Sequence, residues 1–123
     1  MTSKVYHQPE TNIVIMEYSG NVSIDDIYTA IDNGWSLGEA KECLRFLTVF
    51  TEATLLLTLE QVIEVTEYMK SLGVSKDIRS AILVPPDGSA DFEVQLHEYT
   101  AGTKGWRIQF FYNIEEAMDW LID

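Results

Sequence analysis

Positive charge is scarce in this chain. Eight lysines and arginines stand against 20 aspartates and glutamates in 123 residues, a formal net charge of -12. Nucleic-acid binding rests on a basic footprint, and none is present, so DNA and RNA partners are excluded. Attraction to an anionic membrane surface is excluded for the same reason. A basic protein partner fits the charge. Cysteine is nearly absent: Cys43 stands alone, so no intrachain disulfide can form. No apolar run approaches the roughly 18 residues needed to span a bilayer. Met1 to Glu10 is polar and has no signal-peptide pattern, which predicts a reducing, cytoplasmic setting without membrane insertion.

Catalytic motifs are missing as well. Gly-x-Ser-x-Gly, GxGxxG and GxxxxGK[ST] do not occur. The two histidines, His7 and His97, are far apart in sequence. Glu93 and His97 share a helix face at i, i+4, but a zinc site needs three or four ligands and no third is evident. His97-Glu98 begins like a zincin motif, yet Ala101 stands where its second histidine belongs. Cys43 lies beside Glu42 and Arg45 and reads as a small buried hydrophobe. Pro85-Pro86-Asp87-Gly88-Ser89 is a turn signal leading into a helix. No catalytic residue, metal ligand set or cofactor is therefore assigned, and the chain reads as no enzyme.

What the chain does have is apolar substance and clear punctuation. Its hydrophobic fraction is 46%, with three Trp, six Tyr and five Phe, which is enough for the core of a single domain spanning 1–123. Ser3–Gln8 and Asn12–Tyr18 read as a hairpin around Pro9 and Glu10. Ser23, with Asp26 at N3, opens a helix whose apolar face is Ile24, Ile27, Tyr28, Ile31 and Trp35; Asn33, Gly34 and Gly38 mark its end. Leu44–Thr51 is a strand. Thr58, with Gln61 at N3, opens a second helix with Leu59, Val62, Ile63, Met69 and Leu72 on one side and Gly73 at C′. Glu60, Glu64 and Glu67 form its solvated face, with Lys70 placed to pair Glu67.

Ser80–Val84 is an unbroken apolar run, the mark of a central strand covered on both faces. Asp87 or Ser89 is placed to cap a third helix carrying Phe92, Leu96 and Tyr99. A strand follows in which Trp106, Ile108, Phe110 and Tyr112 alternate with Arg107, Gln109 and Phe111. Asn113 caps the last helix, with Glu116 at N3 of a capping box and Ile114, Ala117, Met118 and Leu121 as its apolar stripe. The order β-β-α-β-α-β-α-β-α predicts an α/β fold: a mixed, mostly parallel five-stranded sheet with about four helices and the first strand antiparallel at an edge.

Three stretches carry a family resemblance: Ser80-Ala-Ile-Leu-Val-Pro-Pro, the helix around Phe92 to Tyr99, and Trp106 to Leu121. The last contains Phe111, Glu115, Glu116, Ala117, Trp120 and Leu121 in the pattern F-x-x-x-E-E-A-x-x-W-L. Together they resemble the small bacterial STAS/SEC14-like proteins with the SpoIIAA-like fold. The resemblance implies helices stacked mainly on one sheet face. The other face of Ser80–Val84 would then be covered by a homodimer partner or a ligand.

In the STAS relatives that antagonise anti-sigma factors, a phosphorylatable Ser or Thr begins the helix after the third strand. The matching region runs from Thr51 to Gln61 and offers Thr51, Thr54 and, nearest the acceptor position, Thr58. Leu57 stands where that pattern has Asp, and Thr58 is already explained as an N-cap. The resemblance implies a non-enzymatic, cytoplasmic protein-interaction module. Its alternative is a carrier of a small apolar or lipid-like ligand, with Phe46, Tyr99, Trp106 and Phe110 around the pocket.

Overall fold

The computed structural model describes residues 2–123. Strands β1 (Thr2–Gln8), β2 (Ile13–Val22), β3 (Arg45–Leu55), β4 (Arg79–Leu83) and β5 (Arg107–Phe111) alternate with helices α1 (Ile24–Ala40), α2 (Leu59–Ser71), α3 (Asp91–Thr103) and α4 (Ile114–Ile122). The five strands form one sheet in the order β1-β2-β3-β4-β5. β1 pairs antiparallel with β2, and every later pair is parallel. The predicted fold class is the observed one.

This order decides where the helices lie. Each parallel crossover moves one strand further in the same direction, and crossovers are right-handed. All three crossover helices therefore land on one face. The core agrees: Ile27 and Ala30 of α1, Val65 and Met69 of α2, and Val94 and Ala101 of α3 pack with Val14, Phe46, Ile82 and Ile108 of the sheet. α4 follows the last strand and folds onto the opposite face, where Ala117 and Leu121 meet Ile13, Ile15, Leu47, Ala81, Leu83 and Phe111. The far face of β4 is thus covered by this chain's own helix. That corrects the expectation of a dimer partner or ligand there.

Phe111 is a second correction. The alternation placed it among outward residues, yet it is buried beneath Trp120, 5.7 Å between ring centroids. α4 covers only the end of β5 on this face, so Phe111 is buried while Arg107 and Gln109 stay exposed.

The caps follow the sequence closely. Ser23 and Asp26 form a reciprocal capping box, as do Thr58 and Gln61. Asn113 accepts from the N–H groups of Glu115 and Glu116, but the return bond of a box is absent. α3 differs from expectation: its N-cap is Ala90, with no side-chain bond, while Asp87 accepts from Ser89 N–H at 2.9 Å.

α1 also runs past its expected end, to Ala40. Gly34 and Gly38 are buried within it and let it sit close to the sheet. A Cβ on Gly34 would lie 2.7 Å from Met16 Sδ, and one on Gly38 2.7 Å from Phe46 Cζ. These glycines mark a close helix–sheet contact rather than fraying.

Candidate functional site

The helix-covered face is not filled. A cavity of about 120 Å³ lies between the sheet and α1, α2 and α3. Its floor is made by Met16 and Tyr18 of β2, Phe46, Thr48 and Phe50 of β3, and Ser80 and Ile82 of β4. Its walls include Ile27, Ile31 and Trp35 of α1, then Val62, Val65 and Met69 of α2. α3 closes it with Glu93, Val94 and His97.

Leu55 and Leu57 join from the end of β3 and the following loop. They reach the site because the β2–β3 register shifts between Glu17/Ser19 and Val49/Glu52, so β3 carries one extra residue there. The bulge inverts the side-chain alternation. Phe46, Thr48 and Phe50 face the helices before it, and Ala53 and Leu55 after it.

A few polar groups interrupt the apolar lining. The hydroxyls of Tyr18, Thr48 and Ser80 and the Glu93 carboxylate make no hydrogen bond among the described residues, yet none is a sealed, unsatisfied atom. They therefore keep surface accessible to solvent or to a ligand. Burial drives the Tyr18 phenol well above its usual range, with the Asp26 charge adding to the shift. Burial also pushes the His97 imidazole down to about 4, so the ring is neutral at pH 7. His97 Nδ1 makes a long 3.5 Å contact with Thr66 Oγ1, which also lies 3.0 Å from Thr100 Oγ1. No lysine or arginine lines the cavity. A concave, mostly apolar site with a few convergent polar groups is the usual form of a small-molecule site.

Comparison with known proteins gives a fold. No family model and no curated protein matches the sequence. Among solved structures, an uncharacterised DUF3478-family protein with a SpoIIAA-like fold from Shewanella loihica PV-4 superposes with a TM-score of 0.63 and 16% identity, over 98% of this chain and 92% of that one. The unphosphorylated anti-sigma factor antagonist SpoIIAA superposes with a TM-score of 0.50 and 13% identity, over 97% and 96%. This chain has a SpoIIAA-like fold.

Within that SpoIIAA-like fold the sequence-predicted residues scatter. Thr51 is half-buried and Thr54 exposed on β3, while Thr58 is exposed three residues beyond the strand as the N-cap of α2. Of the four aromatics expected around a pocket, only Phe46 lines the cavity. Tyr99 is 71% exposed. Trp106 is buried elsewhere, its indole N–H shared by the Val74 and Ser75 carbonyls at 3.3 and 3.2 Å. Phe110 packs at the margin of the core. The stripe Phe92, Leu96, Tyr99 is also corrected: α3 buries Val94 and Ala101 instead, and Phe92 is 64% exposed. His97 and Glu93, too few in the sequence to make a metal site, reach the cavity from α3 together with Val94. No group of three metal-ligating side chains occurs among the described residues.

Elsewhere, Cys43 is buried and its thiol donates to the Asn12 and Arg45 carbonyls, as befits a structural position. Glu67 pairs with Lys104 at 3.2 Å, tying α2 to the end of α3, rather than with Lys70. The chain's three arginines, Arg45, Arg79 and Arg107, stand side by side across β3, β4 and β5 at the end of α4. They donate to the carbonyls of Thr11, Trp120, Asp123 and Asp77, so their visible role is to anchor loops and the last turn of α4. Among the described residues no helix is long and apolar enough to cross a membrane.

Proposed function

We propose that residues 1–123 form a single, non-enzymatic, cytosolic module that binds a small apolar molecule between its sheet and its three crossover helices. The observation that carries this reading is the 120 Å³ cavity, large enough for one aromatic ring or a short alkyl chain. Native interiors are close-packed, and a void of this size forfeits contacts all around its lining. A ligand restores them.

Native mass spectrometry of protein purified from its own host, paired with a denatured spectrum, tests the reading. Extra mass that disappears on denaturation supports it, together with a loss of thermal stability once that mass is stripped away. A bare mass, with thermal stability unmoved by a panel of monocyclic aromatic and short-chain compounds, contradicts it.

A second reading is supported by a different surface. Leu56, Leu59 and Ile63 are 55%, 49% and 46% exposed around the start of α2. This patch adjoins Thr58 and, through β3, the region of Thr51 and Thr54. It is the surface on which a protein partner, basic to suit the chain's charge, or a second copy would dock. SpoIIAA itself is an anti-sigma factor antagonist, which favours a regulatory protein contact. Cross-linking from a photoreactive residue at position 63 in the host cell tests this. A single specific adduct supports it, and only diffuse labelling opposes it.

A further inference from the structure

The cavity carries information about its ligand beyond size. Three hydroxyls without protein partners, on Tyr18, Thr48 and Ser80, share its floor. Thr48 and Ser80 are diagonal neighbours on one face, since Thr48 pairs with Ile82 and Ser80 with Phe46 across β3 and β4. Opposite them α3 presents Glu93 and His97, one helical turn apart. Hydroxyls that keep accessible surface are free to bond a polar group of a ligand that displaces water from them.

The charge of that partner is constrained. A carboxylate or phosphate brought into an apolar cavity needs a cation or several donors to offset its desolvation. The lining holds no lysine or arginine, its histidine is neutral, and Glu93 adds a negative charge of its own. An ammonium would meet Glu93, but its desolvation cost in an apolar site is equally severe. An uncharged hydroxyl or phenol both donates and accepts, which matches hydroxyls, an imidazole and a carboxylate together.

Resting on the ligand-binding reading, we infer that the cavity selects an uncharged, single-ring or short-chain apolar alcohol or phenol, its hydroxyl held by Thr48, Ser80 and the Glu93–His97 pair, and rejects the corresponding carboxylate. Tyr18 offers a further donor from β2.

The test is calorimetric titration at pH 7.5 with four matched probes: toluene, benzyl alcohol, benzylamine and benzoate. Benzyl alcohol is expected to bind at least about tenfold more tightly than benzoate and several-fold more tightly than toluene. The double variant T48V/S80A is expected to reduce the preference for benzyl alcohol over toluene while toluene binding is kept, which also shows that the variant is folded. Benzoate binding as well as or better than benzyl alcohol overturns the charge selection, and so does benzylamine binding best. Toluene equal to benzyl alcohol overturns the role of the hydroxyls and leaves an apolar site standing. No binding by any probe overturns both this inference and the ligand-binding reading beneath it.

Discussion

The two faces of the sheet are covered by the same kinds of residue and end in opposite states. On one face a nine-residue helix, α4, suffices. Ala117 and Leu121 are fully buried there, with Ile13 and Ala81 beneath them at 0% exposure. On the other face three longer helices leave a cavity of about 120 Å³. More helix has not meant tighter packing. The close side uses one amphipathic helix whose small and large residues fit the strands below. On the open side the floor is built of long or hydroxylated side chains, and α1 is held down near its end by Gly34 and Gly38. The apolar cavity lies on the three-helix face, and that is the face to which we assign the proposed ligand.

Truncation should separate the faces most sharply. Leu121→Ala truncates a fully buried side chain and is expected to cost about 3–4 kcal/mol in urea unfolding. Ile82→Ala, at a side chain that already borders empty space, should cost nearer to about 2 kcal/mol. Equal losses would mean that the two faces are equally packed.

Acid should act through the open face. The His97 folded pKa lies below its unfolded value, so the unfolded state takes up the proton more readily. His97 therefore contributes stability that is complete above about pH 6.5 and falls as pH drops toward 4. The loss is on the order of 2 kcal/mol by pH 5. His97→Gln should flatten that part of the stability–pH curve.

The glycines of α1 offer a smaller contrast. Alanine is the better helix former by about 1 kcal/mol. Gly34→Ala would press on the flexible thioether of Met16, which has the cavity to move into, and should be close to neutral. Gly38→Ala would press on the Phe46 ring and lies 3.1 Å from the Cys43 carbonyl, so it should destabilise by about 1–2 kcal/mol. Thermal melts of the two variants decide this. Of similar size, Thr58→Ala should remove about 1 kcal/mol through its N-cap alone. The smallest effect is expected from Thr48→Val, which replaces an unpartnered hydroxyl by a methyl and should be neutral or stabilising by up to about 1 kcal/mol.

Local signals in the sequence were readable because they act over a few residues. Ser23 with Asp26 and Thr58 with Gln61 are capping boxes whose chemistry is complete within four positions, and the strand–helix order follows from them. Errors arose where tertiary packing decides. Gly34 and Gly38 resemble helix stops until the sheet beneath them is known. Phe92 and Tyr99 have helical spacing, but the stripe of α3 that meets β5 and α2 carries Val94 and Ala101. The bulge in β3 that turns Leu55 toward the helices leaves no mark in the sequence. The cavity is legible in none of its lining residues taken singly. Thr48 and Ser80 are ordinary strand residues, and His97 gains meaning only from the space it borders.

The most direct test of the central claim is a methyl-resolved NMR titration of the full chain with benzyl alcohol. The account predicts saturable shifts of the Ile27, Val65, Met69, Ile82 and Val94 methyls, with those of Ile13, Ile15 and Leu121 unmoved. Shifts spread over both faces, or confined to the exposed methyls of Leu56, Leu59 and Ile63, would contradict it.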